Sequence, residues 1–231
     1  KVKMFEDNHA LAKEAAKKSI VLLKNEDNIL PLNGKKKIAI IGDFAFNPRY
    51  QGAGSSMVNA TVVEDAKKLF EKLNIDSKKV QKLENKIESR LEKVEDKLDK
   101  LDMNPTYAGA GITKVNPTKV DTLQRILEES DLEVIGTARG YSRLDKKDDA
   151  VMTDEAMTLA RKADIVLYFF GLNEASESEG LDRTHLKIPK NQIDLMEQLS
   201  NENQNIVGII SAGSCIEMPW EKHLKAILHS Y

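Results

Sequence analysis

"DIVLYFFG" (164–171) is apolar at almost every position, and what it forms decides how the rest of the chain is read. It is rich in β-branched and aromatic side chains, ends on glycine, and is far shorter than the ~18 apolar residues a membrane span needs. A strand buried on both faces has this composition, because neither of its two alternating sets of side chains meets water. Four further runs share the pattern: "KIAIIGD" (37–43), "LEVIGT" (132–137), "IVGIIS" (206–211) and "AILHS" (226–230). Helix-period segments precede or separate them. "NHALAKEAAKKSIVLL" (8–23) places Leu11, Ala15, Ala16 and Ile20 on one stripe, and "PTKVDTLQRILEES" (117–130) does so with Val120, Leu123, Ile126 and Leu127. "TDEAMTLARKA" (153–163) opens on a Thr–Asp–Glu start signal, and "NQIDLMEQLS" (191–200) carries Ile193, Leu195, Met196 and Leu199. Strands alternating with helices predict an α/β fold, a mostly parallel sheet flanked by helices.

Such sheets bind ligands beyond the carboxyl ends of their strands, where the strand order switches direction. Three polar, glycine-bearing loops leave those ends: "FAFNPRYQGAGSS" after 37–43, "LNEASESEGLDR" after 164–171 and "SAGSC" after 206–211. The second carries Glu174, Glu177, Glu179 and Asp182 within nine positions. Two readings fit it. A solvated acidic loop, with Asp182 or Arg183 in a local ion pair, needs no function. Alternatively, a carboxyl among carboxylates has its ionised form disfavoured, so its pKa rises toward the range of a general acid. Arg183 would then hold one neighbour and leave another protonatable. The residues alone leave open which carboxylate plays which part.

From about 61 to 102 the strand pattern stops. Six apolar residues, Leu83, Ile87, Leu91, Val94, Leu98 and Leu101, recur through "KLE", "KIE", "RLE", "KVE", "KLD" and "KLD" and span 18 positions in five steps, an average of 3.6. That is one straight helical stripe, flanked by a basic and an acidic row. A helical hairpin folding on itself accounts for it, and so does a homo-oligomer contact through residues 61–102. "YQGAGSSMVNAT" (50–61) and "YAGAGITKVNPT" (107–118) flank the arm as near copies, as if it had been spliced into one loop. The expected organisation is a sandwich domain of 1–60 and 114–231, C-terminally incomplete, interrupted by a helical hairpin at 61–113. Both ends of the chain read as cuts in a longer protein.

Bulk properties exclude several function classes. With 35 basic and 37 acidic side chains the net charge is −2, so no global field attracts nucleic acid or an anionic membrane. The single cysteine, Cys215, rules out an internal disulfide framework and reads as a buried structural thiol. A reducing, cytoplasmic location is expected. His9, His185, His223 and His229 have no ligand spacing, so no metal is expected, and no cofactor. The glycines of "GAGSS" arrive about ten residues too late for a dinucleotide fingerprint; the loop reads as a tight polar turn or as an approach to a neutral ligand such as a sugar. Trp220 in "IEMPW" is expected to pack beside a loop, with sugar stacking as the functional alternative. A flavodoxin-like regulatory domain would need an acidic phosphorylation pocket, which Asp43 alone does not make.

Several stretches together resemble the C-terminal α/β sandwich domain of glycoside hydrolase family 3, the β-glucosidase family. They are "NHALAKEAAKKSIVLLKNEDNILPL" (8–32), "KIAIIGDFA" (37–45), "YQGAGSS" (50–56), "KVNPTKVDTL" (114–123), "ADIVLYFFGLNEASESEGLDRTHLKIPKNQIDLM" (163–196) and "SAGSCIEMPW" (211–220). The resemblance implies a two-domain retaining hydrolase of β-glucosides or short oligosaccharides. A barrel domain of the same protein supplies the nucleophilic aspartate. The sandwich domain supplies the acid/base glutamate, which matches Glu179, just before Gly-x-Asp-Arg. It implies less specific substrate-binding or loop-orienting roles for Ser55, Ser56, Asp182 and Arg183. This chain alone, with no barrel before Lys1, is expected not to turn over glucosides. The rival class is a non-catalytic carbohydrate-binding or oligomerisation module, with Glu179 a surface carboxylate.

Overall fold

Alternation across one sheet organises the core. A computed structural model of the chain describes residues 2–32, 34–48, 123, 130–143, 150–173, 176–177 and 182–231. The chain divides into two units, 1–49 with 121–231, and 50–120; the described residues all belong to the first. The helical arm expected at 61–113 lies outside the described residues.

The described elements are α1 (Val2–Ser19), β1 (Val21–Asn25), β2 (Lys37–Ile41), β3 (Glu133–Ala138), α2 (Ala150–Ala160), β4 (Ile165–Gly171), α3 (Lys190–Glu202), β5 (Ile206–Ser211) and β6 (Ala226–His229). The strands form a single six-stranded sheet in the order β1-β6-β5-β4-β2-β3. Every neighbouring pair is parallel except β1 with β6. The expected mostly parallel α/β sheet is therefore the observed one.

Successive side chains of a strand point to opposite faces. On β2, Ala39 and Ile41 join Val166, Tyr168 and Phe170 of β4 beneath α2 and α3, whose Ala156, Ala160, Leu195, Met196 and Leu199 close that layer. Ile38 and Ile40 face the other way and pack with Ile165, Leu167, Val207 and Ala226. Of the helix expected at 117–130 only Leu123 and Ser130 are described: Leu123 is helical and packs against that second layer, and Ser130 lies in a bend. Among the described residues no helix is long and apolar enough to cross a membrane.

Two expectations are corrected. The helix read over 8–23 ends at Ser19, and Val21–Asn25 is a strand. Lys17 and Lys18 favour the negative end of the helix dipole, and the Ser19 hydroxyl donates to the Ala16 carbonyl (2.9 Å). The aliphatic run that follows pairs antiparallel with β6, from Val21 opposite His229 to Asn25 opposite Ala226. For the same reason the last strand does not expose an edge, because β6 lies between β5 and β1. The start signal read at Thr153 is also displaced. The helix is already formed at Ala150, and the Thr153 hydroxyl donates to the Gly140 carbonyl (3.3 Å).

Candidate functional site

The chain leaves β2 for the edge strand β3 and returns to β4 on the other side of β2, so the strand order switches between β2 and β4. A crevice opens at such a point beyond the carboxyl ends of the two strands. Two glycines let backbones meet along this edge, Gly42 between β2 and β4 and Gly171 between β4 and β5. Gly42, at φ +122°, would place a Cβ 1.9 Å from the Phe169 carbonyl oxygen, and Gly171 would place one 1.9 Å from that of Ser211. Only glycine fits either contact. Leu172 continues the close approach by donating its N–H to the Ser211 carbonyl (2.9 Å).

Beyond β2, Asp43 is buried at 2% exposure. Its Oδ1 accepts from Arg139 Nε (2.7 Å) and from Asn47 Nδ2 (3.1 Å), and Arg139 Nη2 also contacts it. Its Oδ2 lies 3.5 Å from Arg143 Nε. The Arg143 guanidinium sits 4.8 Å over the Phe44 ring and donates to the Asn47 carbonyl. Both arginines leave β3 on either side of Tyr141, whose buried hydroxyl donates to the Phe169 carbonyl (2.8 Å). Burial first, and the Asp43 charge second, push that hydroxyl well above the ordinary tyrosine range.

Beyond β4 the acidic loop is tied to both neighbours. Asn173 Nδ2 donates to the Arg143 carbonyl (2.9 Å), and its Oδ1 accepts from the Ser176 N–H (2.9 Å) and hydroxyl (2.8 Å) three residues on, as a capping side chain does. Glu177 reaches the β5 loop. Its Oε2 accepts from the Gly213 N–H (3.1 Å) and its Oε1 from the Ser214 hydroxyl (2.6 Å). Arg183 Nη2 donates to the same Ser214 oxygen (2.8 Å) and to the Cys215 carbonyl (2.7 Å). Its Nη1 is buried without a hydrogen-bond partner. Among the described residues Arg183 pairs with no carboxylate and is turned toward neutral acceptors of the β5 loop.

Of the residues singled out in the sequence, Glu179, Ser55 and Ser56 lie outside the described residues. Asp182 is exposed, and Arg183 is half-buried at the β4–β5 junction. Two further readings are corrected. Cys215 is exposed rather than a buried thiol. Trp220 is buried at 4% exposure with its ring edge-on to Phe170 (5.1 Å, 82°), so its face is taken by the core and not offered to a sugar. Sequence reasoning missed the Glu177–Ser214–Arg183 bridge and the Asp43–Arg139–Arg143 cluster. The only local signal for the second was a pair of arginines bracketing "GYS" after a strand. Among the described residues no group of three or more His, Cys, Asp or Glu is placed to hold a metal ion.

Comparison with known proteins agrees with this architecture. The family profile described as "Glycosyl hydrolase family 3 C-terminal domain" matches residues 20–231. Thermostable beta-glucosidase B of Acetivibrio thermocellus is 33% identical over 97% of this chain and 22% of its own length. An exo-alpha-(1->6)-L-arabinopyranosidase of Bifidobacterium breve is 36% identical over 96% of this chain and 23% of its own length. The crystal structure of a Bifidobacterium adolescentis GH3 beta-glucosidase superposes with a TM-score of 0.67 at 31% identity, covering 98% of this chain and 25% of that one. The chain thus spans less than a quarter of the length of these two curated relatives.

Proposed function

We propose, from the premise that this chain belongs to glycosyl hydrolase family 3 as its C-terminal domain, that it supplies the general acid/base of a retaining β-glucosidase-type hydrolase. The observation that carries the proposal is the bridge between the loops that leave β4 and β5, beside the switch point. The loop of 172–183 leaves β4 and is fastened to the β5 loop at Glu177 and Arg183, on either side of Glu179. A proton donor must sit on an element held against the substrate, and this loop is braced on both flanks.

In the proposed reaction an aspartate of a barrel domain attacks the anomeric carbon while Glu179 protonates the departing oxygen. Glu179, now a carboxylate, then takes a proton from the water that hydrolyses the glycosyl ester. Asp182, Arg183, Ser55 and Ser56 are proposed to line or orient the entrance, and the barrel domain of the same polypeptide is the proposed partner. The names of the relatives put β-glucosides and α-L-arabinopyranosides in the substrate panel.

The test is Glu179→Ala in the full-length polypeptide, assayed on a disaccharide and on a dinitrophenyl glycoside of the same sugar. Only the first needs a proton on its leaving group. General acid catalysis contributes about 10²–10⁴-fold. The disaccharide should lose kcat/KM by that order, the aryl substrate far less, and azide should restore turnover as glycosyl azide. Equal small losses on both would refute the assignment and favour a non-catalytic sugar-binding domain.

A further inference from the structure

Ser214 belongs to no motif that points to catalysis, yet its hydroxyl works in both directions at once. It donates to Glu177 Oε1 at 2.6 Å and accepts from Arg183 Nη2 at 2.8 Å. A single oxygen therefore stands between a carboxylate and a guanidinium that lie six positions apart in sequence. Hydrogen bonds to ionised groups are the stronger ones, and each of these strengthens the other by polarising the shared hydroxyl. The neighbouring backbone completes the clamp: the Gly213 N–H holds Glu177 Oε2 (3.1 Å) and the Cys215 carbonyl holds Arg183 (2.7 Å).

We propose that Ser214 is a positioning residue: it fixes Glu177 and Arg183 to the end of β5 and so sets the placement from which Glu179, between them in sequence, delivers its proton. This rests on the acid/base reading of Glu179. Positioning matters at this scale because a displacement of ~1 Å at a reacting group can cost about 10²-fold in rate. Alanine at 214 removes the hydroxyl bonds and leaves the two backbone bonds. Glu177 and Arg183 then each keep one bond to β5 and lose their common anchor, so a loss of about 10-fold is expected, smaller than removal of the acid itself. Threonine keeps the hydroxyl and restores the rate.

The experiment uses the full-length polypeptide with Ser214→Ala, Ser214→Thr and, in parallel, Glu179→Ala. The readout is kcat/KM, which reports glycosylation, on the disaccharide and dinitrophenyl pair. The expected result is a tenfold loss for Ser214→Ala on the disaccharide, a loss of about twofold or less on the dinitrophenyl glycoside, and recovery in Ser214→Thr. Equal losses on both substrates would mean a merely structural role and overturn the inference, as would no loss on either. If Glu179→Ala discriminates between the substrates and Ser214→Ala does not, only the role of Ser214 fails. If Glu179→Ala does not discriminate, the acid/base reading fails and the role of Ser214 with it.

Discussion

Replacing Asp43 with alanine should destabilise the switch point by about 2–4 kcal/mol. The carboxylate is 2% exposed and faces two guanidinium groups of different character. Arg143 is 11% exposed, so without Asp43 its charge stays in a poorly solvated place. Stranding a buried partner in this way costs about 3–5 kcal/mol. The Asn47 carbonyl and the Phe44 ring remain beside Arg143, and a cation over an aromatic face offsets about 0.5–1 kcal/mol of that loss. Arg139 is 56% exposed, and its half of the cluster is screened by solvent. Arg139→Ala should therefore cost less than ~1 kcal/mol although its hydrogen bond is the shorter one. The assay is urea unfolding of the chain, followed by the fluorescence of its single tryptophan, Trp220, which is buried against Phe170. Asp43→Ala should lower the midpoint at an unchanged slope. The double variant Asp43→Ala/Arg143→Ala should recover part of the loss, with a coupling of about 1–3 kcal/mol. If Asp43→Ala costs no more than Arg139→Ala, or if the double variant is additive, the cluster is a solvated surface network and the reasoning is wrong.

Gly171→Ala should cost more than ~3 kcal/mol, because the new Cβ meets the Ser211 backbone, which has no rotamer to move away. Thermal unfolding should show a drop of about 6–12 °C. Gly213→Ala, whose Cβ would lie 3.5 Å from a Glu177 carboxylate oxygen, should stay close to the parent. The alkaline limb of stability should carry the signature of two tyrosines. Burial raises the hydroxyls of both Tyr141 and Tyr168 well above the ordinary range. A group whose folded-state pKa is raised contributes stability that is complete below the unfolded-state value, here about 10, and is lost as pH rises above it. Unfolding free energy should therefore fall with pH beyond ~10. Two of the five tyrosines should ionise only on unfolding when absorbance is followed at alkaline pH. Normal titration of all five in the folded chain would contradict their burial.

What the sequence made legible follows from where the constraint on each residue lies. A strand buried on both faces is constrained locally, since every side chain must be apolar, and β2, β4 and β5 could be found within a residue or two of their ends. β1 could not. "IVLL" satisfies a helical stripe as well as a strand, and what decides between them is a partner some 200 positions away, His229 opposite Val21. The candidate site is of the second kind throughout. That Arg139 and Arg143 meet Asp43 depends on β3 lying beside β2, and that Glu177 meets Ser214 depends on β5 lying beside β4.

The same point resolves the oddity of clustered carboxylates at the end of a buried strand. Residues 172–183 look self-repelling when read along the chain, because sequence places like charges side by side. In space its described members are engaged separately. Glu177 faces a backbone amide and a hydroxyl of another loop, and Arg183 turns to that same hydroxyl. Asp182 stands exposed. Like charges repel by about 1 kcal/mol at 4 Å in water and less beyond a Debye length. Fastening Glu177 to donors on β5 holds one negative charge in a fixed place, and a fixed charge disfavours ionisation of any carboxyl brought near it, which is the electrostatic condition the proposed acid/base residue requires.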